Sequence, residues 1–339
     1  MTLAGTNTYG GVTTISGGTL QIGSGGTLGT LGINTVTDNA TLAFNRSDAI
    51  DDSGFGLISG TGSLAKRGTG RLALTKAQTY SGATTVEAGT LALTNSGAIA
   101  NSTNITVLAG ALFDVSGTTG GTMTLGIGKT IAGNGSVKGN FNLDPRAKLS
   151  PGTNGIGTLT FSNSLTLFSG PGAPPCTNLF EISKSPTTND VVRVFGALTN
   201  GGTLIVTNIS ANALAAGDTF KLFNAASYAS SFSSLILPPL NSGLLWDTNT
   251  VNTNGTVKVI AIAPPMFSSV TQLGNGTLRL NFSGTPGANY EIRASTNLTL
   301  TPVTLWNLLG TGTFSAAPVV FDDVLARNFP QRFYRIRVP

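Results

Sequence analysis

The residues of this chain that could do chemistry are few and scattered. Its 339 residues include no histidine and one cysteine, Cys176. This excludes a histidine base, histidine-ligated metals, a structural zinc cluster and an internal disulfide framework. The adjacent carboxylates Asp51–Asp52 and Asp322–Asp323 could bind calcium or transfer protons. Adjacent strand residues point to opposite faces, however, so we interpret both pairs as solvated turns.

Cys176 has no histidine to serve as its base, which favours a buried or loop thiol over a nucleophile. Tyr9 and Tyr80 could stack on a sugar, but because they recur at equivalent positions a structural role is favoured. We therefore expect no catalytic residue, no metal and no cofactor.

The composition indicates a nearly all-β chain. Charged residues make up 10 % of the sequence, the net charge is +5, and there are 45 glycines. Thr, Val, Ile and Phe suit strands, whereas Gly and Asn favour turns. Basic residues are not clustered with aromatic ones, which argues against nucleic-acid binding, and no apolar run is long enough for a transmembrane helix.

The first half of the chain contains an internal repeat. Residues 3–20 read LAGTNTYGGVTTISGGTL and residues 74–91 read LTKAQTYSGATTVEAGTL, an offset of 71. Each copy predicts short strands joined by glycine or asparagine turns, and such strands bury a continuous core only when stacked as successive coils. The repeat predicts that Tyr9 and Tyr80 occupy the same place in their coils. It also predicts one interior shared by Ile15, Leu20, Val86 and Leu91.

The pattern LxxxxTYxGxTTVxxGTL resembles the passenger-associated, or autotransporter-associated, β-strand repeat. The later segment Leu149–Gly152, followed by residues 155–160, is similar to another element of the same proteins. The resemblance implies a right-handed parallel β-helix, or β-solenoid, over residues 1–168, and an extracellular or cell-surface location. Met1 is followed directly by the repeat, without a basic start or apolar run, so we interpret the chain as mature or truncated.

Two further segments follow the repeats. The sequence SGPGAPPC at 169–176 breaks the pattern, and we interpret residues 169–263 as a continuation or cap of the solenoid. Residues 264–339 contain strands that alternate apolar and polar residues, which indicates a small antiparallel β-sandwich. They resemble the immunoglobulin- or fibronectin-III-like modules of secreted verrucomicrobial-type bacterial proteins.

Charges between residues 48 and 71 leave an enzyme open as one alternative. Polysaccharide-active β-helices gather carboxylates and basic residues along a groove, whereas charges on loops flanking a repeat give the same sequence pattern. The residues concerned are Asp48, Asp51, Asp52, Lys66, Arg67 and Arg71.

Three functions are therefore compared. The first is a non-enzymatic exported structural protein whose copies assemble head-to-tail into a filament, through an interface formed by Thr2, Leu3, Phe333, Arg335 and Arg337. The second is a surface adhesin or glycan-binding protein with the solenoid as a stalk, whose partner is an extracellular glycan or matrix. The third, least favoured, is a polysaccharide-active enzyme.

Overall fold

The structure is a computed structural model and describes residues 1–168, 170, 172 and 174–339. Within these residues the chain is all-β apart from one helix, α1 (Val251–Asn254), and two short 3-10 turns (Val303–Leu305 and Ala326–Asn328). Two compact units are present: residues 1–213, 218–239 and 248–258 form the first, and residues 214–217, 240–247 and 259–339 the second. The proline-rich break expected at 169–176 falls partly on Ser169, Pro171 and Ala173, which lie outside the described residues.

The first group of strands comprises β1 (Thr2–Leu3), β2 (Thr13–Ile15), β3 (Thr19–Ile22), β4 (Val36–Asp38), β5 (Thr41–Phe44), β6 (Ile50–Asp51), β7 (Ile58–Ser59), β8 (Ser63–Lys66), β9 (Arg71–Leu74), β10 (Thr84–Val86), β11 (Thr90–Asn95), β12 (Asn104–Val107), β13 (Leu112–Thr118), β14 (Thr122–Leu125), β15 (Thr130–Gly133), β16 (Ser136–Lys138), β17 (Asn140–Leu143), β18 (Lys148–Pro151), β19 (Thr158–Phe161) and β20 (Leu165–Leu167). The second group comprises β21 (Thr177–Lys184), β22 (Thr187–Asn189), β23 (Val191–Thr199), β24 (Thr203–Asn208), β25 (Thr219–Lys221), β26 (Phe223–Ala229), β27 (Ser234–Ile236), β28 (Leu244–Asp247), β29 (Thr256–Ala261), β30 (Met266–Gln272), β31 (Leu278–Ser283), β32 (Asn289–Ser295), β33 (Asn307–Thr313), β34 (Val319–Asp323) and β35 (Phe333–Arg337).

Parallel pairing between successive coils builds the first unit. One sheet has the strand order β1-β3-β5-β8-β10-β12-β15-β18-β21-β24-β27. Thr19 pairs with Thr41, 22 residues later, and Thr41 with Ser63, again 22 residues later. A chain that returns in parallel to the same sheet after every coil is a β-solenoid, which confirms the predicted all-β solenoid; its right-handed winding stays a prediction.

The coils turn through three strand positions. Strands β13, β14 and β15 form one coil, β16, β17 and β18 the next, and β19, β20 and β21 another. The long strand β23 pairs with β19 through Val191–Val194 and with β20 through Leu198–Thr199, so it spans two of these positions.

Inward-facing side chains stack in columns that run from coil to coil. The column through β9, β11, β13, β16, β19 and β23 is apolar throughout, and all of its members are buried. Such a column removes apolar surface from water at every coil, which short strands cannot do alone. Its members are Leu72, Leu91, Phe113, Val137, Phe161 and Val194.

The two tyrosine motifs share their local contact but lie at different places in their coils. The Tyr9 hydroxyl lies 2.8 Å from the Thr13 hydroxyl, and the Tyr80 hydroxyl 2.7 Å from that of Thr84. Strand β2 after Tyr9 pairs with β4 in a small sheet, β2-β4-β7, whereas β10 after Tyr80 joins the long sheet. The predicted equivalence within the coil was therefore wrong.

The reason lies in coil length. The ladder Leu20–Leu42–Leu64–Thr84 passes through three coils in 64 residues, whereas the motif recurs after 71. The second copy is thus displaced onto the next strand position. The interior residues are nevertheless as predicted, since Ile15, Leu20, Val86 and Leu91 are all buried.

The second unit contains two three-stranded antiparallel sheets, ordered β30-β31-β34 and β33-β32-β35. Alternation places Leu280 and Phe282 of β31, Ile292 of β32 and Ile336 of β35 in one buried cluster with Phe314. Antiparallel sheets with one apolar face agree with the predicted sandwich; the likeness to immunoglobulin or fibronectin-III modules stays a prediction.

Candidate functional site

The first acidic pair consists of one buried carboxylate, Asp52, and one exposed carboxylate, Asp51. Asp52 is buried, and its carboxylate accepts hydrogen bonds from the backbone N–H groups of Thr75 and Lys76, both at 3.0 Å, and from Gln78 Nε2 at 2.9 Å. Asp51 is exposed, and the hydroxyl and backbone N–H of Ser53 donate to it, which lowers its pKa. The burial of Asp52 corrects the predicted solvated turn, whereas the different surroundings of the two side chains were expected for adjacent residues.

The second acidic pair lies in a strand, which corrects the predicted turn. Asp322 and Asp323 are the last residues of β34. Asp322 forms two 2.8 Å hydrogen bonds with Arg279 and has a lowered pKa because of that arginine. Asp323 is buried, lies 2.8 Å from the Arg332 guanidinium, and accepts a 2.8 Å hydrogen bond from Tyr334. Both carboxylates are therefore occupied by neighbouring side chains of the same chain.

The charges between residues 48 and 71 do not converge into one groove. Arg46 forms an ion pair with Asp48 at 2.6 Å, and Arg67 one with Glu87 at 3.2 Å. Lys66 points into the solenoid, in register with Phe44 and Val86, where its ammonium donates to the carbonyls of Gly68 and Ala88.

Asp51 and Arg71 do line a common cleft of about 390 Å³ in the first unit. Its walls also include the buried rings of Phe44 and Phe55, whose centroids are 5.2 Å apart, and the guanidinium-bearing Arg46. Asp51 is the one carboxylate among the described residues that line this cleft, whereas hydrolysis by paired carboxyl groups uses two.

Cys176 and Tyr80 are both buried. Cys176 is fully buried, its thiol contacts the Phe168 carbonyl at 3.5 Å, and burial raises the pKa of the thiol to about 11. A thiol that stays protonated at neutral pH is a poor nucleophile. Tyr80 is fully buried, so its ring cannot stack on a sugar, whereas Tyr9 is partly exposed.

Neither a cluster of metal-ligating side chains nor a membrane-spanning helix occurs within the described ranges. Among residues 1–168, 170, 172 and 174–339, no three histidine, cysteine, aspartate or glutamate side chains lie together so that they could hold a metal ion. In the same part of the chain, no helix has the length and hydropathy needed to span a bilayer.

The predicted interface residues lie on two strand edges, one in each unit. Thr2 and Leu3 form β1, which pairs with Gln21 and Ile22 of β3 and is the first strand of the long sheet. Beside it is an open groove of about 420 Å³ that Leu3, Tyr9 and Ile15 help to line.

Phe333, Arg335 and Arg337 belong to β35, the last strand of the sheet β33-β32-β35. Arg337 lies 3.1 Å from Glu291, whereas Arg335 is exposed and lies opposite Arg293 of β32. Assembly of copies through the edges β1 and β35 stays a prediction.

A further surface feature was missed at the sequence level. On β23, Phe195 exposes 69 % of its surface, and Arg193 beside it is also exposed. Together with Asn224 of β26, which pairs with Arg193, they line a shallow groove of about 250 Å³. The local signal was the run Val191–Phe195, whose alternation places Val192 and Val194 inside and Phe195 outside.

The comparisons with known proteins agree with the repeat. A family model described as passenger-associated-transport-repeat matches residues 1–22 and 64–93, which contain both tyrosine motifs. Over 192 residues, 47 % of this chain, the sequence is 33 % identical to the adhesin BmaC autotransporter of Brucella suis biovar 1. The chain spans only 6 % of that protein's length, so the similarity covers a small stretch of a much longer protein.

Proposed function

We propose that this chain is a non-enzymatic, surface-displayed adhesive protein in which the parallel solenoid serves as a stalk. The observation that carries the proposal is the match of its two tyrosine motifs to passenger-associated repeats, within a chain similar to an autotransporter adhesin. A stack of parallel coils suits a stalk because every coil contacts its neighbours along the whole ladder. The comparisons favour this interpretation over the filament.

The state of the carboxylates supports a role without catalysis. Asp48, Asp322 and Asp323 are bound by arginines, and Asp52 accepts hydrogen bonds from Thr75, Lys76 and Gln78. General acid–base catalysis needs carboxyl groups free to exchange protons with a substrate, and these four hold the chain's own turns and strands.

The groove at Phe195 is the contact that we assign to a glycan. An exposed aromatic ring offers a flat apolar face to the C–H groups of a sugar, while Arg193 and Asn224 supply hydrogen-bond donors to its hydroxyls. The strand that carries the ring pairs with β19 and with β26 as far as Val194, and Phe195 lies in the register shift that follows.

Binding of the purified chain to neutral and acidic glycans and to matrix proteins tests the proposal. We expect saturable binding to a glycan, weakened about tenfold or more by Phe195→Ala, since one lost stacking contact is worth about 1.4 kcal/mol. Leu28→Ala, at a residue that is 62 % exposed elsewhere on the solenoid, should leave the affinity unchanged. Absence of binding to every surface, or release of cleavage products from any of them, would contradict the proposal.

A further inference from the structure

The two sheets of the second unit cover each other unevenly. A Cβ placed on Gly310 of β33 would lie 3.5 Å from the Phe321 ring, so the middle of β34 covers β33, while Asp323 at the end of β34 is reached by Tyr334 of β35. Because β31 and β32 are the central strands of their sheets, β30 lies on the same side as β35. The edge strands β30 and β35 therefore bound one side of the sandwich.

The inner face of β30 is apolar and open. Phe267 pairs with Phe282 and Val270 with Leu280, and side chains directly opposite in an antiparallel pair share a face. Phe282 and Leu280 are fully buried, yet Phe267 is 40 % exposed and Val270 is 55 % exposed. Phe267 and Val270 thus face the interior of the sandwich, yet residues 259–339, all of which are described, leave much of both side chains uncovered.

The neighbouring backbone edge is free as well. Strand β35 pairs with β32 over Phe333–Arg337, and it is the last strand of its sheet. Within residues 259–339 no strand pairs with its second edge. An unpaired edge presents backbone N–H and C=O groups at the spacing that another strand needs. A strand added there would lie against β30 and cover Phe267 and Val270.

The charges on this edge determine which peptide sequence would bind there as an added strand. Each carboxylate of the second unit's sandwich is bound to arginine: Glu291 to Arg293 and Arg337, Asp322 to Arg279, and Asp323 to Arg332. Arg335 is exposed, has Arg293 opposite, and forms no ion pair with a described residue.

A second copy of β35 would bring arginine against arginine at this edge, which is unfavourable for residues directly opposite each other in a sheet. Carboxylates on the outer side of an added strand would instead neutralise Arg335.

We propose that the free edge of β35 binds an extended acidic peptide by strand addition. Main-chain hydrogen bonds to β35 hold the peptide, its inward apolar residues cover Phe267 and Val270, and its outward carboxylates face Arg335. This partner is a property of the second unit alone and does not depend on the adhesive role of the solenoid.

Fluorescence anisotropy with short labelled peptides tests the assignment on the full chain. The probes are a peptide of about six residues that alternates Val and Glu, and its counterpart that alternates Val and Lys. We expect the Val/Glu peptide to bind at least about tenfold more tightly than the Val/Lys peptide, and Arg335→Glu to reverse this order. Arg327→Glu makes the same change of charge at an exposed residue of the 3-10 turn, and should preserve the order.

Two further measurements separate strand addition from simple charge attraction. N-methylation of alternate backbone nitrogens removes hydrogen-bond donors but no charge, and should abolish binding of the Val/Glu peptide. Val270→Ser, at an exposed position, should weaken it several-fold while the near-ultraviolet circular dichroism of the chain stays unchanged.

Equal binding of both peptides would overturn the proposal, as would undiminished binding of the N-methylated peptide. Sedimentation as a dimer from which the Val/Glu peptide is excluded would overturn it in favour of a second copy at this edge. Failure of the chain to bind any glycan would affect the proposed function and leave this result unchanged.

Discussion

Lys66 is an ionisable side chain in the interior of the solenoid, with only 2 % of its surface exposed. Burial penalises its charged form and lowers its pKa from 10.5 to about 8. The unfolded chain keeps this proton up to about pH 10.5, whereas the folded chain releases it near pH 8. The free energy of unfolding should therefore rise with pH between these values, by up to about 3 kcal/mol from this group.

Urea denaturation of Lys66→Met and of the wild-type chain across that pH window measures the contribution. The free energy of unfolding of the wild-type chain minus that of Lys66→Met should rise steadily as pH increases from 8 to 10.5, because the contributions of other titrating groups cancel. Lys148→Met, at an exposed lysine, should show a constant difference. A constant difference for Lys66→Met as well would mean that this lysine is solvated in the folded chain.

The contribution of the interior column to the free energy of unfolding can be measured by substituting one of its members, Leu91. It is fully buried between Leu72 and Phe113, so Leu91→Ala leaves a cavity and should cost about 2–5 kcal/mol. Leu28→Ala removes the same atoms from an exposed position and should change the free energy of unfolding by less than about 0.5 kcal/mol. Equal effects in urea denaturation would contradict the assigned core.

At the scale of the strands and their turns, close stacking of coils depends on glycines at positions where the neighbouring coil leaves no room for a Cβ. A Cβ on Gly97 would overlap the Leu74 carbonyl oxygen of the preceding coil, whereas one on Gly17 would meet no atom within 4 Å. Gly97→Ala should therefore destabilise the chain by about 1–3 kcal/mol, and Gly17→Ala should have little effect. Thermal unfolding of the two variants checks this; equal midpoints would show that the coils can separate at Gly97 without cost.

The sequence predicted strands better than it predicted how they stack. Alternation along a strand is local, which is why the strands of residues 264–339 were correctly expected to turn one face to a core, now seen to hold Leu280, Phe282 and Ile336. The position of a strand in its coil depends on the summed lengths of all preceding turns. Because the 71-residue repeat is not a whole number of coils, the strands that follow Tyr9 and Tyr80 belong to different sheets.

The same non-local dependence hid two features of the candidate sites. Lys66 follows Leu64 and Ala65 in a short strand, and only the stacking on Phe44 and Val86 shows that its side chain lies inside. Phe195 follows the last residue of β23 that pairs with β19, and its exposure depends on the register shift before β23 pairs with β20. The position of Lys66 thus leaves no signal in neighbouring residues, whereas that of Phe195 is indicated in part by the alternation over Val191–Phe195.

For the whole molecule, we propose that the two units bind different partners. The solenoid stalk carries the aromatic contact for a glycan, and the second unit offers a free strand edge to a peptide. The chain has a net charge of +5 and only 10 % charged residues, so long-range electrostatic attraction contributes little. Adhesion through Phe195 should therefore change by less than about twofold when ionic strength rises from 0.05 to about 0.5 M, since screening acts on charges. A steep fall of bound glycan with salt would assign the contact to the arginines instead.

Attachment of cells that display the chain tests the central claim most directly. Bacteria that do not otherwise adhere would carry it on their surface, and cells retained under flow on a glycan-coated surface would be counted. The account predicts retention several-fold above that of cells displaying Phe195→Ala at equal surface density, with Leu28→Ala matching the wild type. Retention no greater than that of cells without the chain, at confirmed display, would contradict an adhesive function.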